Sequence, residues 1–230
     1  MTERDSWKRA AALRAAGEIR DGMVLGLGTG STVRHLLDEI ARRRAAGEWP
    51  GIAGVPTSEE TRRRAGALAI PLTTLDLHPS LDLAIDGADE VDPSLNLIKG
   101  LGGALLREKV VARAARALVI VADQSKRVDK LGTLAPLPVE VDPFGALSQA
   151  PFLRQLGAEP SLRLNEDGKP FLTDGGHYIY HCRFPGGIDD PKRLEQELAA
   201  CPGVIESGLF IGMADAVAVA GPDGVRWEQR

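Results

Sequence analysis

The sequence predicts an α/β protein: a doubly wound, mostly parallel, Rossmann-like sheet with a smaller inserted α+β domain. Three observations predict it. Short apolar runs alternate with helical patterns from residue 6 through residue 122, the order that builds a parallel sheet with helices on both faces. LVIVA at 118–122 is apolar at every position, as a strand covered on both faces is. Beyond Pro136 and Pro138 the order changes to LPVEV, a helix over about 144–156, extended pieces near 161–164, 170–173 and 178–184, and a helix over 191–200. That mixed order marks a small inserted α+β unit.

The elements follow in order. Residues 6–20 form an Ala-rich amphipathic helix carrying Lys8 and Arg9. Residues 23–27 are a short apolar strand that runs into GLGTGST at 26–32 and then a helix with Val33, Leu36, Leu37 and Ile40 on one face. A strand, a glycine-rich turn and a helix N-terminus bring free N–H groups, hydroxyls and the positive end of a helix dipole together, which is an anion cradle. The third glycine of a dinucleotide fingerprint is replaced by Ser31, and the triphosphate-binding Gly-Lys-Ser/Thr is missing. A phosphate monoester fits this turn better than either nucleotide. GIAGV at 51–55 is a second strand, and Thr57-Ser-Glu-Glu60 has the spacing of a capping box that opens a helix toward residue 69, with Ser58 a secondary site candidate. Strands follow at 70–75 and 81–86.

The densest chemistry lies at 86–109, DGADEVDPSLNLIKGLGGALLREK. Asp86 ends a strand, where functional side chains of open α/β sheets gather, and Gly87 lets the chain turn before Asp89. Lys99 enters a turn of Gly100, Gly102 and Gly103, whose small bulk lets N–H groups approach an oxyanion. A helix from Leu105 has Leu106, Val110 and Ala114 on its apolar face. Glu108 falls in its first turn, where the dipole favours the ionised carboxylate of a base. After the strand at 118–122, Lys126 sits just past a carboxyl end. LFIGM at 209–213 and DAVAVAG at 215–221 read as strands returning to the first domain, before a turn at 221–224.

DGADEVD, IKGLGGALLREK, VADQSK at 121–126 and GLGTGST stand in order through most of the chain and closely resemble the ribose-5-phosphate isomerase family, type A. The resemblance implies aldose–ketose isomerisation between D-ribose 5-phosphate and D-ribulose 5-phosphate through a cis-enediolate, in the non-oxidative pentose phosphate pathway, with no cofactor and no metal. It implies Glu108 as the shuttling base and Lys99 with the turn N–H groups as oxyanion donors. Asp86 and Asp89 would bind hydroxyls and assist ring opening; Lys8, Thr29, Gly30, Ser31, Thr32 and Lys126 would meet the substrate or its phosphate. A Rossmann-like domain over 1–135 and 207–230, a ferredoxin-like domain over 136–206 and a homodimer are implied as well. Leu101 departs from the glycine frequent in the family's turn, and Leu106 from a threonine seen in some members.

Composition sets the remaining bounds. The 230 residues are 43% hydrophobic and carry a net charge of −4, 28 basic against 32 acidic. That balance offers no basic field for nucleic acid, and no apolar run reaches bilayer length. The N-terminal stretch lacks the apolar core of a signal peptide, so a cytoplasmic location is expected. Cys182 and Cys201 fit reduced, buried thiols. The four histidines are too scattered for a zinc site, and the acids lack the EF-hand pattern. Two rival readings are a sugar-phosphate sensor, which would normally carry a DNA-binding module, and an acyl-CoA transferase, which would leave Asp86 and Asp89 unexplained.

Overall fold

The computed structural model describes residues 2–230. In chain order, α1 (Glu3–Ala16) leads into β1 (Val24–Leu27), α2 (Ser31–Ala45), β2 (Ala53–Pro56), α3 (Glu59–Ala67) and β3 (Leu83–Gly87). Two short strands, β4 (Glu90–Val91) and β5 (Leu97–Ile98), precede α4 (Leu105–Ala114), β6 (Leu118–Asp123) and a 3-10 turn at Gln124–Lys126. There follow β7 (Leu137–Val141), α5 (Ala146–Gln155), β8 (Glu159–Leu162), β9 (Tyr178–Arg183) and α6 (Pro191–Ala199). The chain ends with β10 (Val204–Ser207), β11 (Leu209–Phe210), β12 (Ala216–Gly221) and β13 (Gly224–Gln229). Two compact units result. The first holds the described residues up to Ala88, Arg107–Lys126 and Met213–Arg230; the second holds Asp89–Leu106 and Arg127–Gly212.

The first unit is built on a six-stranded sheet of order β13-β12-β6-β3-β1-β2, parallel except for the β12–β13 hairpin. β6 is buried along its whole length, as its unbroken apolar run demands. On one face α1 presents Ala11, Ala12, Ala15 and Ala16, all fully buried against α2 and the strand residues Leu25, Leu27, Ile85 and Val121. Alanine makes this packing possible, because a methyl group lets helix and sheet backbones come close. Gly26 alternates with Leu25 and Leu27 and so faces the other side. A Cβ there would lie 2.5 Å from Val111 Cγ1. The bare backbone therefore makes room for α4, and the sheet is covered on both faces.

The second unit contains an antiparallel four-stranded sheet, β10-β7-β9-β8, and a three-stranded one, β11-β5-β4. Its core joins Leu137, Val139 and Val141 of β7 to Leu153 of α5 and Leu194 and Leu198 of α6. Gly208 carries the chain from one sheet to the other. Its N–H donates to Pro138 O at 2.8 Å while its carbonyl accepts from Lys99 N at 2.9 Å. A Cβ at that position would fall 2.2 Å from Lys99 O. Only glycine fits so tight a crossing.

Several elements differ from their sequence-based expectation. Residues 70–75 form no strand; Leu72 makes an isolated bridge to Gly54 and Thr73 N donates to Gly54 O at 2.9 Å. The segment only grazes the sheet edge. α3 is capped by Ser58, not Thr57: the Ser58 side chain accepts from Thr61 N, so the cap is shifted by one residue. On α4 the buried positions are Leu105, Glu108, Val111 and Ala112, whereas Leu106 is half-buried and Val110 is 48% exposed. Periodicity locates a helix but not the direction of its neighbours. Leu209–Phe210 pairs with β5 in the second unit rather than returning to the first sheet, and the turn at 221–224 opens a further strand, β13. Because β4 and β5 pair with β11, residues 89–106 pack with the second unit, a division different from one at 136 and 206. Cys182 is buried, which pushes its thiol up to about 12, but Cys201 is only half-buried.

One buried carboxylate in this fold has a measurable pH signature. Glu39 on α2 is 7% exposed and accepts from Arg42 Nε and Nη2 at 2.8 Å each and from Arg43 Nε at 2.7 Å. The hydrogen bond from Arg42, with help from Arg43, holds its pKa at about 2 against the usual 4.5. A carboxyl lowered on folding stabilises above its unfolded pKa and loses that contribution as pH falls through the folded one. Glu39→Gln is expected to cost about 1–2 kcal/mol at neutral pH, with the gap from wild type closing between about pH 5 and pH 2 in urea titrations. A gap independent of pH would remove the charged pair as its cause.

Candidate functional site

The carboxyl edge of the first sheet carries the first group of candidates. Asp86, at the end of β3, is 3% exposed. Its Oδ1 accepts from Thr29 N at 3.0 Å and from Gly87 N at 2.7 Å. Gly28 N in turn donates to Ile85 O at 3.0 Å, so the end of β1 and the end of β3 are laced together through backbone and carboxylate. Gly28 lies flat against this acid: a Cβ there would sit 2.2 Å from Asp86 Oδ1. The second glycine of GLGTGST therefore serves the aspartate. The third, Gly30, has φ 111° and is the N-cap of α2 without any side-chain cap bond. Its neighbours at the helix start are thus free of a capping side chain, which suits an anionic ligand.

The hydroxyls around this turn divide into two sets. Thr29 Oγ1 lies 2.8 Å from Thr57 Oγ1 and from Ser58 Oγ, and 3.2 Å from Thr61 Oγ1; Thr61 Oγ1 donates to Gly28 O at 2.8 Å. Both the hydroxyl and the N–H of Thr29 are therefore engaged in holding the turn's shape. Ser31 is exposed and accepts from Lys8 Nζ at 2.9 Å. Thr32 is half-buried beside it. Lys8, not the exposed Arg9, is the α1 cation directed at the turn.

Glu108 is 5% exposed in the first turn of α4. It precedes Val111 by three residues and so shares the helix face that packs on Gly26. A crossover helix runs antiparallel to the strands it joins, which puts the residue one turn before Val111 toward their carboxyl edge. Lys126 closes the 3-10 turn after β6. There Asp123 accepts from Arg4 Nε at 3.2 Å and from Ser125 N at 3.0 Å. Burial acts to raise the Asp123 pKa, but the bonds from Ser125 and Arg4 outweigh it and hold the carboxyl below its usual value. The sequence offers Thr57 only as part of a capping box and Asp123 only within VADQSK, and it singles out neither Thr61 nor Arg4; their bonds arise only when strand ends are brought together.

The second unit carries the second group. Asp89 Oδ2 accepts from Leu101 N at 3.0 Å, and Asp89 N donates to Ile98 O at 2.8 Å. Lys99 is 2% exposed, with Nζ 5.3 Å from the Phe210 ring centre. Gly100 and Gly103 have φ 97° and 99°, conformations that only glycine takes readily, and a Cβ on Gly100 would strike Leu105 Cβ at 2.4 Å. Gly103 N donates to Gly100 O at 2.9 Å. The other acids of DGADEVD are structural. Glu90, fully buried, accepts from Gly132 N at 2.5 Å and from Leu134 N and Ala135 N at 2.6 Å. Asp92 accepts from Ser94 N and Asn96 N at 2.8 Å each and shapes the turn between β4 and β5. Among the described residues no three His, Cys, Asp or Glu side chains cluster as metal ligands, and no helix is long and apolar enough to cross a membrane.

A doubly wound sheet that gathers a glycine–hydroxyl turn, a lysine and buried acids along its carboxyl edge defines an α/β protein equipped for a small anionic ligand. Comparison with known proteins narrows that class. Residues 53–224 match the family model for ribose 5-phosphate isomerase A, also called phosphoriboisomerase A. Ribose-5-phosphate isomerase A of Roseiflexus castenholzii is 53% identical over 95% of this chain and 93% of its own, and that of Rhodopseudomonas palustris strain HaA2 is 51% identical over 99% of both. A D-ribose-5-phosphate isomerase solved in complex with phospho-erythronic acid superimposes with a TM-score of 0.97 at 40% identity over the whole of both chains. The Plasmodium falciparum ribose 5-phosphate isomerase does so with 0.95 at 36% identity over 98% of this chain and 99% of that one. The chain belongs to the ribose 5-phosphate isomerase A family.

The close fit of Gly28 on Asp86 is open to a direct test. Gly28→Ala is expected to displace the carboxylate and lower kcat/KM by about 10²-fold or more, the scale of a misplacement near 1 Å. Isomerase rates together with a thermal melt would check it. Activity within about 2-fold of wild type would show that the approach does not matter.

Proposed function

We propose that this protein catalyses the interconversion of D-ribose 5-phosphate and D-ribulose 5-phosphate. The isomerase names of its relatives, extending over nearly the full chain, support catalysis over a sensor. Within the chain the reading is carried by one observation: a buried carboxylate, Asp86, is built into the same turn that offers an uncapped helix start.

The reaction moves a proton between C2 and C1 while the carbonyl changes place. A hydrogen next to a carbonyl is weakly acidic, so a base must reach the C–H while donors meet the oxygen that gains charge. In the proposed mechanism Glu108 takes the proton from one carbon and returns it to the next. One carboxylate suffices because the cis-enediolate presents both carbons on one face. The Lys99 ammonium and turn N–H groups stabilise the enediolate oxygens. Asp86 and Asp89 bind hydroxyls and assist opening of the furanose ring. The phosphate is held by Gly30, Ser31 and Thr32, with Lys8 and Lys126 supplying positive charge, while Thr29 supports the turn.

Phospho-erythronic acid, the ligand of the solved relative, is a phosphorylated sugar acid whose carboxylate carries negative charge where an enediolate would. We propose that this chain takes ligands of the same class. A homodimer and a cytoplasmic location complete the proposal.

Glu108→Gln is expected to keep KM within a few-fold while kcat falls by about 10³-fold, within the range of lost general-base catalysis. Turnover near normal would remove Glu108 from the base role. In D₂O, ketose formed from ribose 5-phosphate should carry deuterium on the carbon that receives the proton. Binding of the sugar phosphate with neither turnover nor exchange would favour the sensor.

A further inference from the structure

The glycine turn has fewer available N–H donors than its sequence implies. Leu101 N–H is committed to Asp89 Oδ2 at 3.0 Å and Gly103 N–H to Gly100 O at 2.9 Å. Of the N–H groups at 100–103, only those of Gly100 and Gly102 lie outside these bonds. Gly102 is exposed, and a Cβ there would meet nothing within 4 Å. Gly100 is buried, so Gly102 is the more accessible of the two donors.

What aims that donor is a residue far away in sequence. Arg163 Nη1 donates to Leu101 O at 2.9 Å. The carbonyl of Leu101 and the N–H of Gly102 belong to one planar trans peptide, so they point in opposite directions and cannot turn independently. Holding the oxygen therefore sets the direction of the N–H. Arg163 is itself held on several sides. Its N–H donates to Ile179 O at 2.8 Å, its carbonyl accepts from Phe171 N at 2.9 Å, and its guanidinium lies 3.6 Å over the Phe171 ring. Gly103 completes the fit, since a Cβ there would fall 2.6 Å from Phe171 Cε1 and 3.2 Å from Arg163 Nη1. Burial lowers the Arg163 pKa, yet a guanidinium stays charged. A cation on the carbonyl also draws electron density through the amide and strengthens the N–H as a donor.

We propose that Arg163 is a positioning residue of the isomerase: through the Leu101–Gly102 peptide it aims the Gly102 N–H at the oxygen on which negative charge develops. It acts on the transition state rather than on ground-state binding, because the charge it serves is absent from the bound aldose. The proposal also accounts for Leu101. With its N–H given to Asp89 and its carbonyl to Arg163, residue 101 contributes only its peptide groups, and its side chain is tolerated where glycine is frequent. The inference rests on the isomerase reading.

The test measures kcat, KM and melting temperature for wild type, Arg163→Ala and Arg163→Lys with ribose 5-phosphate, with and without added guanidinium ion. Arg163→Ala is expected to lower kcat by about 10- to 100-fold, with KM changing less than about 3-fold. Guanidinium should restore part of that rate saturably by occupying the space over Phe171. Arg163→Lys should fall between, because an ammonium keeps the charge but not the planar stack. Two outcomes overturn the proposal: a kcat within about 2-fold of wild type in both variants, or a loss shared by KM and melting temperature that guanidinium does not rescue. An inactive wild type would instead refute the isomerase reading itself.

Discussion

Asp86 is the constraint around which the first unit is arranged. A carboxylate buried at a strand end requires donors, and it takes them from Thr29 and Gly87. Those bonds bring the turn after β1 onto the end of β3, and they do so only because position 28 has no side chain to stand in the way. The same turn then enters α2 through Gly30 with no capping side chain. One electrostatic requirement, satisfying a buried charge, thus shapes the turn and the helix start it leads into. The hydroxyls of Thr57, Ser58 and Thr61, at and just before the start of α3, brace the turn.

The second unit meets the same requirement with the same economy of groups. DGADEVD supplies one acid to each of several tasks. Glu90 gathers three backbone donors from the segment 132–135, Asp92 ties a tight turn, and Asp89 grips the glycine turn at Leu101. Acids of one type become structural or chemical according to which N–H groups surround them. Asp89 holds the peptide before residue 101 through its N–H and Arg163 the peptide after it through its carbonyl, so both flanking planes are fixed. The glycines of this turn confer shape rather than looseness.

Packing explains why these groups hold their places. α1 is poor in large side chains, yet its alanines are fully buried, and what they contribute is closeness to α2 and the sheet. That closeness puts Lys8 within reach of Ser31 and Arg4 within reach of Asp123. Gly26 plays the corresponding part on the other face, where it lets Val111 of α4 seat against the sheet. Glu108, one helical turn earlier, is buried as well.

The sequence by itself determined the fold class and the family. The unbroken apolar run at 118–122 demands cover on both faces, and turn glycines beside acids and hydroxyls are chemistry written in neighbouring residues. Tertiary structure decided what depends on distant partners. The apolar pattern of α4 did not say which residues would be inward, and Val110 proved exposed because the sheet lies on the side of Val111. Residues 70–75 had the composition of a strand but make only an isolated bridge to Gly54, and Leu209–Phe210 joined β5 instead of the first sheet. Nothing near position 163 announces that its arginine will hold a carbonyl at 101. Local spacing encodes turns and periodicity, whereas burial, pairing and the direction of a donor arise only when segments remote in the chain compete for the same space and the same hydrogen bonds.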